Sequence, residues 1–142
     1  MSVLLALALS SAHASDYSAV SSLPSFSLKP DLVVELFQGR MYDNGNDDEN
    51  YLVVKVTNQG VQTSGACWAD IFIGETYAPV MGDFSDIYYG VPALESGESY
   101  TFWVPTGLDE DDYADVIIDS TMRVDENIES NNIETLFMYI AD

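Results

Sequence analysis

From Pro30 onward, short apolar or alternating runs recur along the chain. They lie at Leu32–Phe37, Tyr51–Val56, Cys67–Ile73, Thr76–Met81, Ile87–Val91, Tyr100–Val104, Ala114–Ile118 and Ile133–Ile140, and each reads as a strand. No window sustains a helical period. The runs are separated by turn chemistry: Asn44-Gly45, Asn58-Gln59-Gly60, Gly74, Gly82, Ser96-Gly97, Pro105 and Gly107 supply residues that tolerate positive φ or fix it. Several strands at this spacing predict an all-β antiparallel sandwich.

The two-residue period also assigns faces. In the third run Cys67, Ala69, Ile71 and Ile73 share one side, and Trp68, Asp70 and Phe72 share the other. The aspartate marks that second side as wet or as an interface. In Tyr100–Val104 the polar Thr101 places Trp103 outward as well. Outward tryptophans are either covered by nearby loops or used for contact, which makes Trp68, Phe72 and Trp103 the candidate binding residues.

The first 29 residues follow a different pattern. Val3–Leu9 is apolar, and Ala12-His13-Ala14 has the small-x-small form of a cleavage site, so residues 1–14 read as a signal peptide, although the basic n-region is missing. If retained, such a segment needs cover from a neighbouring subunit or a lipid. Ser15–Lys29, serine-rich with Tyr17, Val20, Leu23, Phe26 and Leu28, reads as a linker or an N-terminal arm. Residues 30–142 form the domain. No later run is long and apolar enough to span a bilayer. The expected location is secreted, extracellular or on the cell surface.

Composition narrows the function. At 142 residues and 47% hydrophobic the chain can build one core. Its formal net charge of −20 repels phosphate backbones, which excludes nucleic acid. The same charge suits divalent cations, basic partners or a salty medium. Cys67 is the single cysteine, so no intrachain disulfide forms, and with no basic residue near it in sequence it reads as a buried, inert thiol. His13 is the only histidine and lies in the leader, leaving no base for a catalytic triad and no nitrogen ligand for zinc. An enzyme is not expected.

Two acidic stretches carry hard oxygen ligands. Asp43–Asn50 sets acids and asparagines around a glycine as calcium loops do, and Asp119–Asn132 adds Asp125, Asn127 and Glu129. The candidate Ca²⁺ ligands are Asp43, Asp47 and Glu49 in the first stretch, and Asp119, Asp125, Asn127 and Glu129 in the second. The alternative for the second is that its side chains cap turns by bonding neighbouring amides. Leu108–Asp112 reads as a solvated turn at the same end of the sandwich as Asp43–Asn50, with Asp119–Asn132 at the opposite end.

Four ordered pieces resemble the CARDB family of cell-adhesion-related domains: Pro30-Asp31-Leu32-Val33-Val34, Val54–Gly60, Leu94-Glu95-Ser96-Gly97-Glu98-Ser99, and Val124-Asp125-Glu126 with Glu129-Ser130-Asn131-Asn132. The resemblance implies a seven-stranded immunoglobulin-like sandwich acting as an extracellular, non-catalytic module. The chain departs from the common arrangement in its single copy and in its acidic insertions. The expected function is a calcium-stabilised structural protein that self-assembles into a surface filament or layer, partly through the arm. The alternative is a monomeric adhesion module binding a glycan or protein, with Trp68, Trp103 and Tyr88-Tyr89 as stacking platforms.

Overall fold

The computed structural model describes residues 28–43, 46–74 and 78–140, with the backbone alone at 42, 43 and 46–48. The leader and all but the last two residues of the arm therefore lie outside the described residues. Seven strands follow in order: β1 (Leu32–Asp43), β2 (Asn46–Asn58), β3 (Cys67–Ile73), β4 (Ile87–Val91), β5 (Ser99–Pro105), β6 (Asp112–Ile118) and β7 (Ile133–Met138).

The period-two pattern decides which sheet face is buried. Leu32 and Val34 of β1, Leu52, Val54 and Val56 of β2, and Phe102 and Val104 of β5 all turn inward. Antiparallel register sets Val56 opposite Val34 and Tyr100, and Val54 opposite Leu36 and Phe102, so the central rungs of the three-stranded sheet β1-β2-β5 are apolar on one side. The four-stranded sheet β4-β3-β6-β7 answers with Cys67, Ala69 and Ile71 of β3 and Ala114, Val116 and Ile118 of β6. Each large side chain buried there stabilises the fold by about 1.5–3 kcal/mol. Tyr89 of β4 stacks on Phe102 of β5 with ring centroids 5.0 Å apart, joining the two sheets. Tyr89 is thus a core residue and not the surface platform expected beside Tyr88.

On the opposite flank β1 and β7 are joined by a side chain. The Gln38 amide donates to the Tyr139 carbonyl at 2.6 Å and accepts from the Tyr139 amide at 3.0 Å, reproducing a rung of backbone pairing between the sheets.

Two expectations change. The stretch Asp43–Asn50 is not a coiled loop, because β1 and β2 continue into it. Arg40 pairs with Asn50, Met41 with Glu49 and, past an irregularity, Asp43 with Asn46. A two-residue Asn-Gly connection favours this closure, and backbone hydrogen bonds extend the ribbon whatever the side-chain polarity. The described part of the run Thr76–Met81 is not a strand either. Residues 75–77 lie outside the described residues, and Ala78–Met81 leads into a turn in which the Asp83 amide bonds the Val80 carbonyl at 3.0 Å.

The outer part of the β1–β2 ribbon and residues 106–111 share one end of the sandwich, since Thr106 donates its amide to the Asn50 carbonyl at 3.1 Å. Asp111 caps the Ile140 amide at 2.7 Å, as a turn residue does. The connections 59–66, 92–98 and 119–132 gather at the other end with the start of β1.

Candidate functional site

At this second, polar end the buried polar groups are organised by Asn58. Its Nδ2 donates to the carbonyls of Gln62 (2.7 Å) and Leu94 (2.9 Å), and its Oδ1 accepts from the amides of Asp31 (3.1 Å) and Gly60 (3.0 Å). Gly60 is needed because a Cβ there would lie 2.5 Å from both the Asp31 nitrogen and the Lys29 carbonyl oxygen. Gly97, at φ 80°, turns the chain so that its amide reaches the Asn58 carbonyl at 2.7 Å. Three separated sequence pieces thus meet around one asparagine.

Most of the carboxylates of 119–132 serve the chain itself. Asp119, fully buried at φ 53°, accepts from the amides of Arg123 (3.0 Å) and Val124 (2.7 Å), which closes the turn after β6. Glu126 accepts from the Leu32 amide and from Asn132 Nδ2 at 2.8 Å, tying the first residue of β1 to the β6–β7 connection. Burial pushes the Glu126 carboxyl up to about 7, and the charges of Glu129 and Asp119 add to that, against the pull of its two hydrogen-bond donors. Glu129 Oε1 receives the Glu126 amide at 3.3 Å. Asp125 is exposed and pairs with Lys29 at 2.6 Å, while the Asn127 side chain reaches the Lys29 carbonyl at 3.4 Å.

The proposed calcium ligands are therefore dispersed. Asp119 and Glu129 point inward to backbone amides, and Asp125 and Asn127 reach outward to Lys29. The side chains of Asp43 and Asp47 lie outside the described residues, and Glu49 accepts from the Tyr51 hydroxyl at 2.6 Å. Among the described residues, no three His, Cys, Asp or Glu side chains stand together as a metal site. Three buried oxygens at the polar end have no donor among the described residues: Glu129 Oε2, Asn131 Oδ1 and Asn132 Oδ1. Nothing in the local sequence separates Glu126 from its exposed neighbour Asp125, and only the depth of the connection does so.

The outer face of the four-stranded sheet is partly covered by the chain itself. Phe72, expected at a contact surface, is 3% exposed, and Asp70 is buried beside it. The segment before β4 folds back over them. Ser85 donates its amide to Asp70 Oδ1 at 2.9 Å and its hydroxyl to the Ile71 carbonyl, and Ser120 donates to Asp70 Oδ2 at 2.5 Å. The fold-back leaves a groove of about 310 Å³ whose rim carries Trp68, Phe84 and Tyr88. These rings are 43%, 69% and 60% exposed, and Trp68 meets Tyr88 edge to face at 5.4 Å. Phe84 carried no periodic signal, because it lies outside any strand.

Trp103 occupies the outer face of the other sheet, 44% exposed and edge to face with Tyr51 at 5.8 Å. Its ring crosses β2 to lie over Gly39 of β1, where a Cβ would fall 2.5 Å from Cζ3. It is a ring seated on the sheet, and Trp68 stands at the groove.

The comparisons agree with this architecture. The CARDB family model matches residues 29–136. A solved structure, the CARDB domain of a Pyrococcus furiosus protein in complex with di-metal ions, is similar at a TM-score of 0.58 and 17% identity, covering 81% of this chain and 96% of that one. The sequence matches no curated protein. No helix among the described residues is long and apolar enough to cross a membrane. The seven strands, their two antiparallel sheets and the match over most of the length place this chain in the CARDB family of adhesion-related, non-catalytic immunoglobulin-like domains.

Proposed function

We propose that the chain is a non-enzymatic adhesion module of the cell exterior, making contact through the outer face of its four-stranded sheet. The groove bounded by Trp68, Phe84 and Tyr88 carries this reading. The fold buries Phe72 and Phe102, and among its exposed aromatics these three surround a concave surface suited to stacking on a sugar ring or a partner side chain. Asp70, the carboxylate at the groove, has both oxygens committed to Ser85 and Ser120, so it acts as a positioned acceptor and not as a general base. Labelled full-length protein should bind bacterial cell surfaces, with binding lost in Phe84→Ala/Tyr88→Ala and kept in Trp103→Ala. Equal binding by all three proteins would refute the assignment of the face.

A second reading is self-assembly into a filament or layer. It is favoured by the edge of β5, which ends the three-stranded sheet among the described residues and offers backbone groups to an added strand. The donated strand would be Ser15–Lys29. Deleting Ser15–Leu28 should leave a folded monomer and abolish long assemblies in electron micrographs. Identical filaments from the truncated protein would exclude the arm. Calcium stabilisation belongs to either reading, supported by the metal-bound state of the Pyrococcus furiosus domain and by the acceptor-rich polar end.

A further inference from the structure

Trp68 lines a second cavity, of about 540 Å³, which Phe84 and Tyr88 do not reach. Its walls include Gly90 near the end of β4, Pro92 just beyond, Tyr100 of β5 and Arg123 of the β6–β7 connection. Gly90 pairs with Trp68 across the β3–β4 ladder, and a Cβ there would meet Trp68 Cζ3 at 3.6 Å and no other described atom within 4 Å. The missing side chain therefore leaves the flank of the indole open to the cavity. Arg123 is placed beside it by the backbone. The amides of Arg123 and Val124 bond the Asp119 carboxylate at 3.0 and 2.7 Å, and the Asp119 amide bonds the Trp68 carbonyl at 2.8 Å, so the turn that carries the arginine hangs from the tryptophan's own strand. Met122 takes φ 50° to bring the chain round, a conformation disfavoured for a long side chain.

The chain has 24 acids and four cationic side chains, and two of those four are used internally, Lys29 on Asp125 and Lys55 on Glu35. Arg123 is exposed and forms no ion pair with any described carboxylate, although acids outnumber it so heavily. A guanidinium thus stands unpaired at a cavity walled by two aromatic rings. We infer that this cavity is a subsite for a uronic acid residue of an acidic polysaccharide, with the sugar ring against Trp68 and its carboxylate on Arg123. The guanidinium fork matches a planar carboxylate, and one cation balances its single charge, whereas a phosphate monoester brings nearly two. A peptide C-terminus is held by backbone amides, and Pro92 in the wall has none to give. The net charge of −20 opposes any anion at long range, but salt at physiological strength screens it beyond about 8 Å, so the cation in contact decides. The inference rests on the contact reading above and names the ligand class for the side of the molecule that Trp68 marks.

The test titrates the full chain by calorimetry, at physiological salt, with trimers of galacturonate, glucuronate and mannuronate and with their methyl esters, which keep the rings and lose the charge. At least one acidic trimer should bind saturably, and its ester at least 10-fold more weakly. Arg123→Gln should weaken that binding at least 10-fold. Gly90→Val, whose side chain enters open space beside Trp68, should do the same, and both variants should melt within a few degrees of the parent. Arg40→Gln removes the same charge from β1 and should bind as the parent does. No binding of any trimer, an ester bound as tightly as its acid, equal weakening in Arg40→Gln, or an N-acetylated tripeptide with a free C-terminus bound as tightly as the sugar would each overturn the subsite. Cell binding is scored on the same proteins. Adhesion lost in Phe84→Ala/Tyr88→Ala with no trimer bound would refute the uronate subsite alone, and adhesion kept in that double variant with trimer binding lost in Arg123→Gln would refute the groove of Phe84 and Tyr88 alone.

Discussion

Substituting alanine for Gly39 tests whether Trp103 is seated on its sheet. The added Cβ would lie 2.5 Å from Trp103 Cζ3, 3.0 Å from Cη2 and 2.9 Å from Val53 Cγ2. Non-bonded carbons pack at about 3.5–4.0 Å, so the ring must lift by about 1 Å or swing away. Trp103 is 44% exposed, which leaves rather more than half of its surface against the protein. For a tryptophan of about 250 Å² at about 25 cal/mol per Å², that surface stabilises by about 3 kcal/mol. Tilting forfeits part of it, about 1–2 kcal/mol, and alanine returns roughly 0.5–1 kcal/mol over glycine in a strand. The net cost of Gly39→Ala is expected near ~1 kcal/mol. With Trp103 already replaced by alanine the ring clash is gone and only the 2.9 Å approach to Val53 Cγ2 remains, so Gly39→Ala should cost about 1–2 kcal/mol less than it does in the parent. Urea denaturation of the four proteins gives the coupling energy, expected at about 1–2 kcal/mol. A Gly39→Ala effect of the same size and sign in both backgrounds would refute the seat.

Gly60→Ala should destabilise by on the order of 3 kcal/mol, because the Cβ meets the backbone of Lys29 and Asp31 and not a side-chain end that can turn aside; an unchanged urea midpoint would contradict this. Glu126 is raised from 4.5 to about 7, so between those values the native state holds a proton that the unfolded state has released. Stability measured in chelator should therefore be highest below pH 4.5, fall by up to about 3 kcal/mol as pH rises to about 7, and then level off, with Glu126→Gln removing that component; a slope unchanged in the variant would contradict the assignment. The Cys67 thiol is pushed up to about 12 by burial first and by the charges of Asp119 and Glu126 after that, so alkylation at pH 8 should proceed only at the rate of unfolding; rapid labelling of the native protein would exclude this.

The core could be read from spacing alone. Cys67, Ala69 and Ile71 face inward and Trp68 outward, and the same holds for Phe102 against Trp103. Periodicity reports burial against the opposite sheet, however, and not cover supplied by a segment distant in sequence. Asp70 and Phe72 occupy the outer face as their period demands, yet they are buried because Ser85 and its neighbours fold over them. The ribbon of β1 and β2 beyond the core has no apolar side to announce it, so Asp43–Asn50 resembled a loop. At the polar end the composition showed many oxygens, but their roles depend on depth. Asp125 and Glu126 are adjacent, one exposed on Lys29 and the other buried beneath Leu32. The resemblance was carried by four sequence pieces, and hydrogen bonds join them in space: Asn58 meets Asp31, Gly60 and Gly97, and Asn131 meets Asp31.

The Gln38 clasp gives the domain a mechanical direction. β1 starts at the polar end and β7 finishes at the hairpin end, so the two strands run side by side and parallel. Tension drawn through Lys29 at one end and Ile140 at the other would slide them past each other in shear, with the two Gln38–Tyr139 bonds and the Leu32–Glu126 bond sharing the load at once. Bonds loaded together must fail together, whereas a peeling pull opens them in turn. A chain that anchors one surface to another would meet force along this axis, where resistance depends on a few bonds that add little to equilibrium stability, a distinction read by single-molecule extension and invisible to chemical denaturation.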